Sequence, residues 1–278
     1  MAQRTLPLFL TVIFLCVSPL VGCAATAPQA ATPQQSSGEM ARYRQNSDAT
    51  YRIDFTNAEG YGHGTGVVIS SEGHILTAYH VVSHADSLSV MISENGYPPK
   101  TYPVKVICAD VIHDIAVVKV DRRFLSPAIL EDERNVHPGD DVYNIGYPYD
   151  YGEMVARGHI MRLHYSPIEK VDEKLPADER VYIREMTLAD FITGPGASGS
   201  GIFLSSSGKL IGVMRLLIWQ GTGNIRMMTR AFVPVDQVVE LLKTNRIPYV
   251  SSNGTVAAYA PLPRPSAPTS LPTSPHKK

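Results

Sequence analysis

The sequence predicts an all-β domain closed by a single helix, and three observations lead there. Short apolar runs bounded by Gly, Pro, Asn and Ser recur along the chain: "TGVVIS", "HILTA", "LSVMIS", "YPVKVICA", "DIAVVKV", "DVYNIGY", "RVYIREM", "GIFLS", "KLIGVMRLLIW" and "IRMMTRAFV". Each has strand length and is rich in Val, Ile and Tyr, with turn residues at regular intervals. "ISSEGHIL" and "LSSSGKLI" read as hairpins in which Gly73 and Gly208 supply the positive φ of the turn. Only near the end do apolar residues follow helical spacing, at Val235, Val238, Val239 and Leu242. Many short strands followed by one helix favour a barrel or sandwich over βαβ units.

The two ends are of different composition. The first residues, "MAQRTLPLFLTVIFLCVSPLVGC", carry one Arg, an apolar run from Leu6 to Val21 and then small residues. That run is too short for a membrane span and reads as a secretory signal. Its ending "LVGC" resembles the lipobox of bacterial lipoproteins, which implies lipidation of Cys23 and attachment to a membrane through acyl chains. The alternative is a plain signal peptide with an incidental Cys. Ala24 after the Cys resembles the outer-membrane sorting pattern, implying a lipoprotein of the outer membrane facing the periplasm in a two-membrane host. With Cys16 removed and Cys23 lipidated, only Cys108 is left, so no disulfide framework is expected. The expected plan is a signal at 1–22, a lipidated flexible tether at 23–44, a folded domain at 45–249 and a disordered Pro-rich tail at 250–278. A net charge of −1 with both signs mixed points away from nucleic acid.

"GPGASGSG", residues 194–201, could be a flexible turn, a phosphate cradle or a backbone bent to expose one serine. A phosphate loop needs a Lys after its last Gly and a helix behind it, whereas this segment runs into "IFLSSS", a strand with no Lys. The serine reading gains support from two further segments. "HILTAYHVV" places His80 directly after a buried strand, and "VIHDIAVVKV" places Asp114 at the mouth of an apolar run. Serine hydrolysis needs a weak nucleophile, a base to take its proton and a carboxylate to orient that base. His80, Asp114 and Ser198 supply those types. Their order excludes the α/β-hydrolase arrangement, which runs Ser, Asp or Glu, His around G-x-S-x-G.

That order is the order of trypsin-like double-barrel proteases, and the resemblance extends over residues 60–245. "GHGTGVVISSEGHILTAYHVV" resembles the catalytic-His region of bacterial HtrA-type proteases, "DIAVVKV" their Asp strand, and "NIGYPYDYGEMVARGHI" their crossover. "GASGSGIF" is similar to the nucleophile motif, closest to that of glutamyl endopeptidases, although Gly201 stands where the family usually has Pro and Ala197 replaces Asn or Asp. The resemblance implies two six-stranded antiparallel β-barrels with a C-terminal helix. It implies His80 as general base, Asp114 as its orienter, Ser198 as nucleophile, and the amides of Gly196 and Ser198 as oxyanion hole. The implied activity is peptide-bond hydrolysis through an acyl-enzyme, with a protein or peptide substrate and neither cofactor nor metal. The competing function is a pseudoprotease that captures peptides by strand addition.

Three local alternatives stand beside the triad. Ser200 is a rival nucleophile, Asp110 a rival carboxylate, and His80, His84, His113 and Asp114 can be drawn as a zinc site, although no H-E-x-x-H is present. The substrate pocket is expected around Ile192, Thr193, Met214 and Arg215. Strand alternation puts Arg215 on one face with Val213 and Met214 on the other. The preferred expectation has Arg215 in solvent and Met214 lining an apolar pocket. The alternative turns the guanidinium inward to meet a substrate Glu or Asp.

Overall fold

The computed structural model describes residues 37–93, 98–166, 185–220 and 227–254, with backbone alone for 216–220, 227 and 228. The expected signal peptide, Cys23, most of the tether and nearly all of the tail lie outside these residues.

The expected double barrel is present. Six strands, β1 (Thr50–Asn57), β2 (Gly60–Val68), β3 (His74–Ala78), β4 (Ser87–Ile92), β5 (Lys100–Asp110) and β6 (Ile115–Val120), close in the order β1-β2-β3-β6-β5-β4. After β7 (Ile129–Leu130) come β8 (Asp141–Gly146), β9 (Met154–Tyr165), β10 (Met186–Ala189), β11 (Gly201–Leu204), β12 (Leu210–Gln220) and β13 (Met227–Pro234). They repeat the same order, β8-β9-β10-β13-β12-β11, closed by the β11–β8 pairing. All pairings within the barrels are antiparallel.

The apolar runs acquire a physical reason here. In β2, β3 and β6 neighbouring residues face different cores: Val67, Leu76 and Val117 pack between the barrels, while Val68, Ile75 and Val118 fill the first barrel. Strands buried on both faces cannot alternate with polar residues, so they read as continuous apolar segments. The core between the barrels also takes Tyr143, Ile145, Phe203, Leu210, Val213 and Val233 from the second barrel. A third cluster around Ile160, Phe191, Ile202, Ile211, Met214 and Phe232 fills that barrel's interior. Gly73 and Gly208 have φ of +91° and +72° as the hairpin reading requires. At Gly73 a Cβ would lie 2.4 Å from the Val120 carbonyl oxygen, so both backbone conformation and space exclude a side chain.

The folded region extends past both expected boundaries. A helix, α1 (Ser37–Ser47), occupies the end of the expected tether. It lacks an apolar stripe and docks through polar and aromatic groups. Asn46 Nδ2 donates to Tyr143 Oη and to the Gly208 carbonyl, both at 2.7 Å, and the Tyr43 ring meets Tyr143 edge-on with centroids 4.4 Å apart. A polar helix held this way leaves no periodic signal in the sequence. At the other end, β14 (Val250–Ser251) pairs in parallel with β7, so the chain is ordered beyond the expected start of the tail at 250. After the short α2 (Tyr79–Val82), described below, α3 (Val235–Thr244) is the expected closing helix, with Val235, Val238, Leu241 and Leu242 buried. Burial pushes the Tyr143 phenol up to about 12, so it remains a neutral hydrogen-bonding group. Asn46→Ala takes the donor from the buried Tyr143 hydroxyl and from the part-buried Gly208 carbonyl. It is expected to destabilise the domain by about 1–3 kcal/mol, read as a fall of roughly 2–4 °C in Tm per kcal/mol.

Candidate active site

The site forms where the two barrels face each other. Strand β3 ends at Ala78, and the four-residue helix α2 begins at once, presenting His80 beside the inter-barrel core. Asp114 lies in the turn between β5 and β6, in a left-handed conformation with φ of +58°. That conformation is strained for a non-glycine residue and is held by surrounding bonds. The Tyr79 amide donates to the Asp114 carbonyl at 3.1 Å. The carboxylate receives the His80 amide on Oδ1 at 2.9 Å and His80 Nδ1 on Oδ2 at 2.8 Å. One buried carboxylate thereby fixes both the backbone entry and the ring of His80, leaving Nε2 available on the far side of a half-exposed imidazole.

Ser198 comes from the second barrel, on the loop between β10 and β11, and is half-buried. Among the described residues no hydrogen bond joins its Oγ to His80, which is common before substrate binds. What brings the two regions together is Thr65 of β2. Its amide donates to the Ser198 carbonyl at 2.8 Å, and its Oγ1 donates to the Gly196 carbonyl at 2.8 Å. Gly64 lies between Val81 and the Ser198 carbonyl, so close that a Cβ there would be 2.7 Å from Val81 and 3.1 Å from Ser198 O. Gly196 and Gly199 have φ of +93° and +85°. A Cβ on Gly199 would sit 2.2 Å from the Thr65 carbonyl oxygen. With the Gly196 carbonyl held by Thr65, neither the Gly196 nor the Ser198 amide donates within the chain among the described residues. Two unspent donors beside one hydroxyl are what an oxyanion would require.

The local rivals are occupied elsewhere. Ser200 is fully buried, its Oγ accepting from Asn144 Nδ2 at 2.6 Å. Asp110 caps its own turn, accepting from the Ile112 and His113 amides and from His113 Nδ1 at 2.6 Å. Burial pushes its carboxyl up, but the His113 bonds outweigh that and hold it below the usual range. His84 is exposed, and among the described residues no three metal-ligating groups converge.

The pocket residues fall differently from expectation. Ile192 is exposed and Thr193 half-buried on the loop that leads to Ser198. Met214 packs into the interior of the second barrel rather than lining an open pocket. Arg215 is not in solvent: it is 3% exposed, and its Nε stands 3.5 Å from Asp114 Oδ2. It stands where the β12–β13 pairing shifts register, between Met214 opposite Phe232 and Leu216 opposite Ala231, and its side chain reaches Asp114 on the first barrel. The oxygen that holds His80 therefore also faces a buried cation. The sequence reading missed Thr65, whose signal is a lone β-branched hydroxyl in the glycine run "GHGTG".

Two barrels of identical strand order, with a His–Asp pair on one and a glycine-framed serine on the other, define the trypsin-like fold class. The sequence profile of the trypsin-like peptidase domain matches residues 64–213, more than half of the chain, and the chain belongs to that family. It is 28% identical over 180 residues to the serine endoprotease DegS of Haemophilus influenzae, covering 65% of this chain and 49% of DegS. It is 28% identical over 200 residues to the serine protease Do-like HtrA of Lactobacillus helveticus, covering 68% of this chain and 45% of that protein. A probable periplasmic serine endoprotease, DegP-like, of Pseudomonas putida is 27% identical over 179 residues, covering 64% and 33%. The chain thus spans about half the length, or less, of these relatives. The HtrA-type protease AlgW with a tripeptide shares the fold at a TM-score of 0.62 and 20% identity, covering 74% of this chain and 62% of AlgW. Deg5 does so at 0.59 and 22%, covering 79% and 99%.

Proposed function

We propose that the protein is a serine endopeptidase in which His80, Asp114 and Ser198 cleave peptide bonds through an acyl-enzyme. The observation that carries this reading is the Asp114 carboxylate bound to His80 Nδ1 at 2.8 Å, facing a serine loop that Thr65 ties to the same barrel. Ser198 Oγ attacks the scissile carbonyl while His80 Nε2 takes its proton. Asp114 keeps the ring in the tautomer that can do so. The carbonyl oxygen, now an anion, receives the Gly196 and Ser198 amides, each such donor contributing about 2.7–4 kcal/mol in comparable sites. The amine then leaves with the proton from His80, and a water activated by His80 hydrolyses the ester. Labelling by a fluorophosphonate probe tests the reading. Wild-type protein should be modified at Ser198, and a protein that stays unlabelled while still binding peptides would instead be the pseudoprotease.

The relatives' names, several of which include "periplasmic serine endoprotease", support export. Together with "LVGC" they support anchoring through lipidated Cys23. Cys23→Ser is expected to move the protein from the membrane fraction to the soluble one or to leave an uncleaved precursor. Mature wild-type protein without a lipid, found free in solution, would overturn the anchor.

A further inference from the structure

The second barrel holds a cation short of partners among the described residues. Arg230 of β13 is 1% exposed and heads the largest fully buried side chains. Nη2 donates to the Thr193 carbonyl at 2.8 Å. Nε and Nη1 have no hydrogen-bond partner, and no carboxylate pairs with the group, among the described residues. Burial alone pushes its pKa down, and the nearby Tyr149 phenol is the one group that acts in the opposite sense. A buried guanidinium left this way is costly, and its planar fork fits a carboxylate with two parallel bonds.

The position of this cation matters because of what surrounds it. Arg230 pairs across the sheet with Ala189, just before the segment 190–197 that leads into Ser198. Thr193, whose carbonyl it holds, lies on that segment, and Tyr149 closes over the same stretch. The Tyr149 amide donates to the Pro195 carbonyl at 2.6 Å, and its ring leaves no room for a Cβ on Gly194. A substrate whose carbonyl carbon meets Ser198 Oγ and whose oxygen meets the Gly196 and Ser198 amides must lay the preceding side chain beside this segment. Arg215, the alternative candidate for an acidic pocket, faces Asp114 instead.

We propose that Arg230 is the specificity-determining cation of the site, receiving the carboxylate of a Glu or Asp side chain on the acyl side of the scissile bond. The inference rests on the endopeptidase reading for its place in the reaction, but its binding half can be measured without turnover.

Peptides differing only at that position (Glu, Asp, Gln or Leu) are offered to the full-length protein. An acidic residue is expected to exceed Gln in kcat/KM by about tenfold or more, because the analogue leaves the buried cation unpaired. Arg230→Gln should bring that ratio close to one, and Arg230→Lys should keep it on the acidic side. If Arg230 merely supports the Thr193 carbonyl, both rates fall together and the ratio stays put. Faster cleavage of the Leu peptide, with a ratio indifferent to Arg230→Gln, overturns the proposal while leaving the endopeptidase intact. Should the protein neither cleave peptides nor react with a fluorophosphonate, the endopeptidase reading fails instead. Calorimetry of peptides ending in Glu or Gln on Ser198→Ala then decides the present one. Preference for Glu, lost on adding Arg230→Gln, supports it, and equal binding sinks it.

Discussion

Ser198→Ala is expected to lower kcat by about 10⁶, to the residual rate sustained by binding and the oxyanion hole. His80→Ala should be about as damaging, and the double variant little worse than either, since a nucleophile without its base and a base without its nucleophile are equally idle. The change should leave the fold unmoved. Ser198 Oγ makes no hydrogen bond among the described residues, so its removal strands no partner, and the stability change should stay within about 0.5 kcal/mol. Steady-state hydrolysis and a melting curve on the same preparations check both halves. Turnover near wild type in Ser198→Ala would transfer the chemistry to another residue, and Ser200, buried against Asn144, is poorly placed to receive it.

Asp114→Asn is the second large effect, and it acts on rate and stability together. The amide cannot accept from both His80 Nδ1 and the His80 amide as a carboxylate does, so the imidazole settles in the wrong tautomer. A fall of about 10⁴ in kcat is expected. The same substitution removes the negative charge that buried Arg215 faces at 3.5 Å. Breaking a buried pair costs about 3–5 kcal/mol. The low end applies because Arg215 has a further interaction besides Asp114. Arg215→Met in the Asp114→Asn background removes the cation that has lost the Asp114 charge and should return much of the lost stability and none of the activity. Melting temperatures of the wild type, both single variants and the double variant test this. Independent, additive losses would mean that Arg215 and Asp114 are not coupled.

Much of the site was legible because it depends on local signals. A serine between glycines, a histidine after a buried strand and an aspartate ahead of an apolar run are each written in a few consecutive residues. Their order along the chain then narrows the architecture. The hairpin glycines at 73 and 208 were readable for the same reason, since positive φ is a demand made at one residue. Helix α1 was not readable: it docks through Asn46 and Tyr43, and neither aromatic–aromatic contact nor a side-chain amide leaves a period in the sequence. Arg215 is buried rather than solvent-exposed for a related reason, and Arg230 carries no local signal at all. Alternation along a strand groups Arg215 with Val213 on one face, but it does not foresee the register shift between Met214 and Leu216.

What lies opposite that face is a property of the other barrel. Asp114 is remote from Arg215 in sequence and meets it only because the two barrels close on a common core. Arg230 likewise sits in the apolar run "MMTRAFV" on the face of Phe232, where its burial follows from the closure of β13 between β10 and β12. By itself the sequence determined the strands, the hairpins, the closing helix and the candidate reacting groups, because each is set by neighbouring residues and backbone conformation. Only the tertiary structure decided which charges are paired, since a pair across two barrels is fixed by packing between segments that share no local pattern.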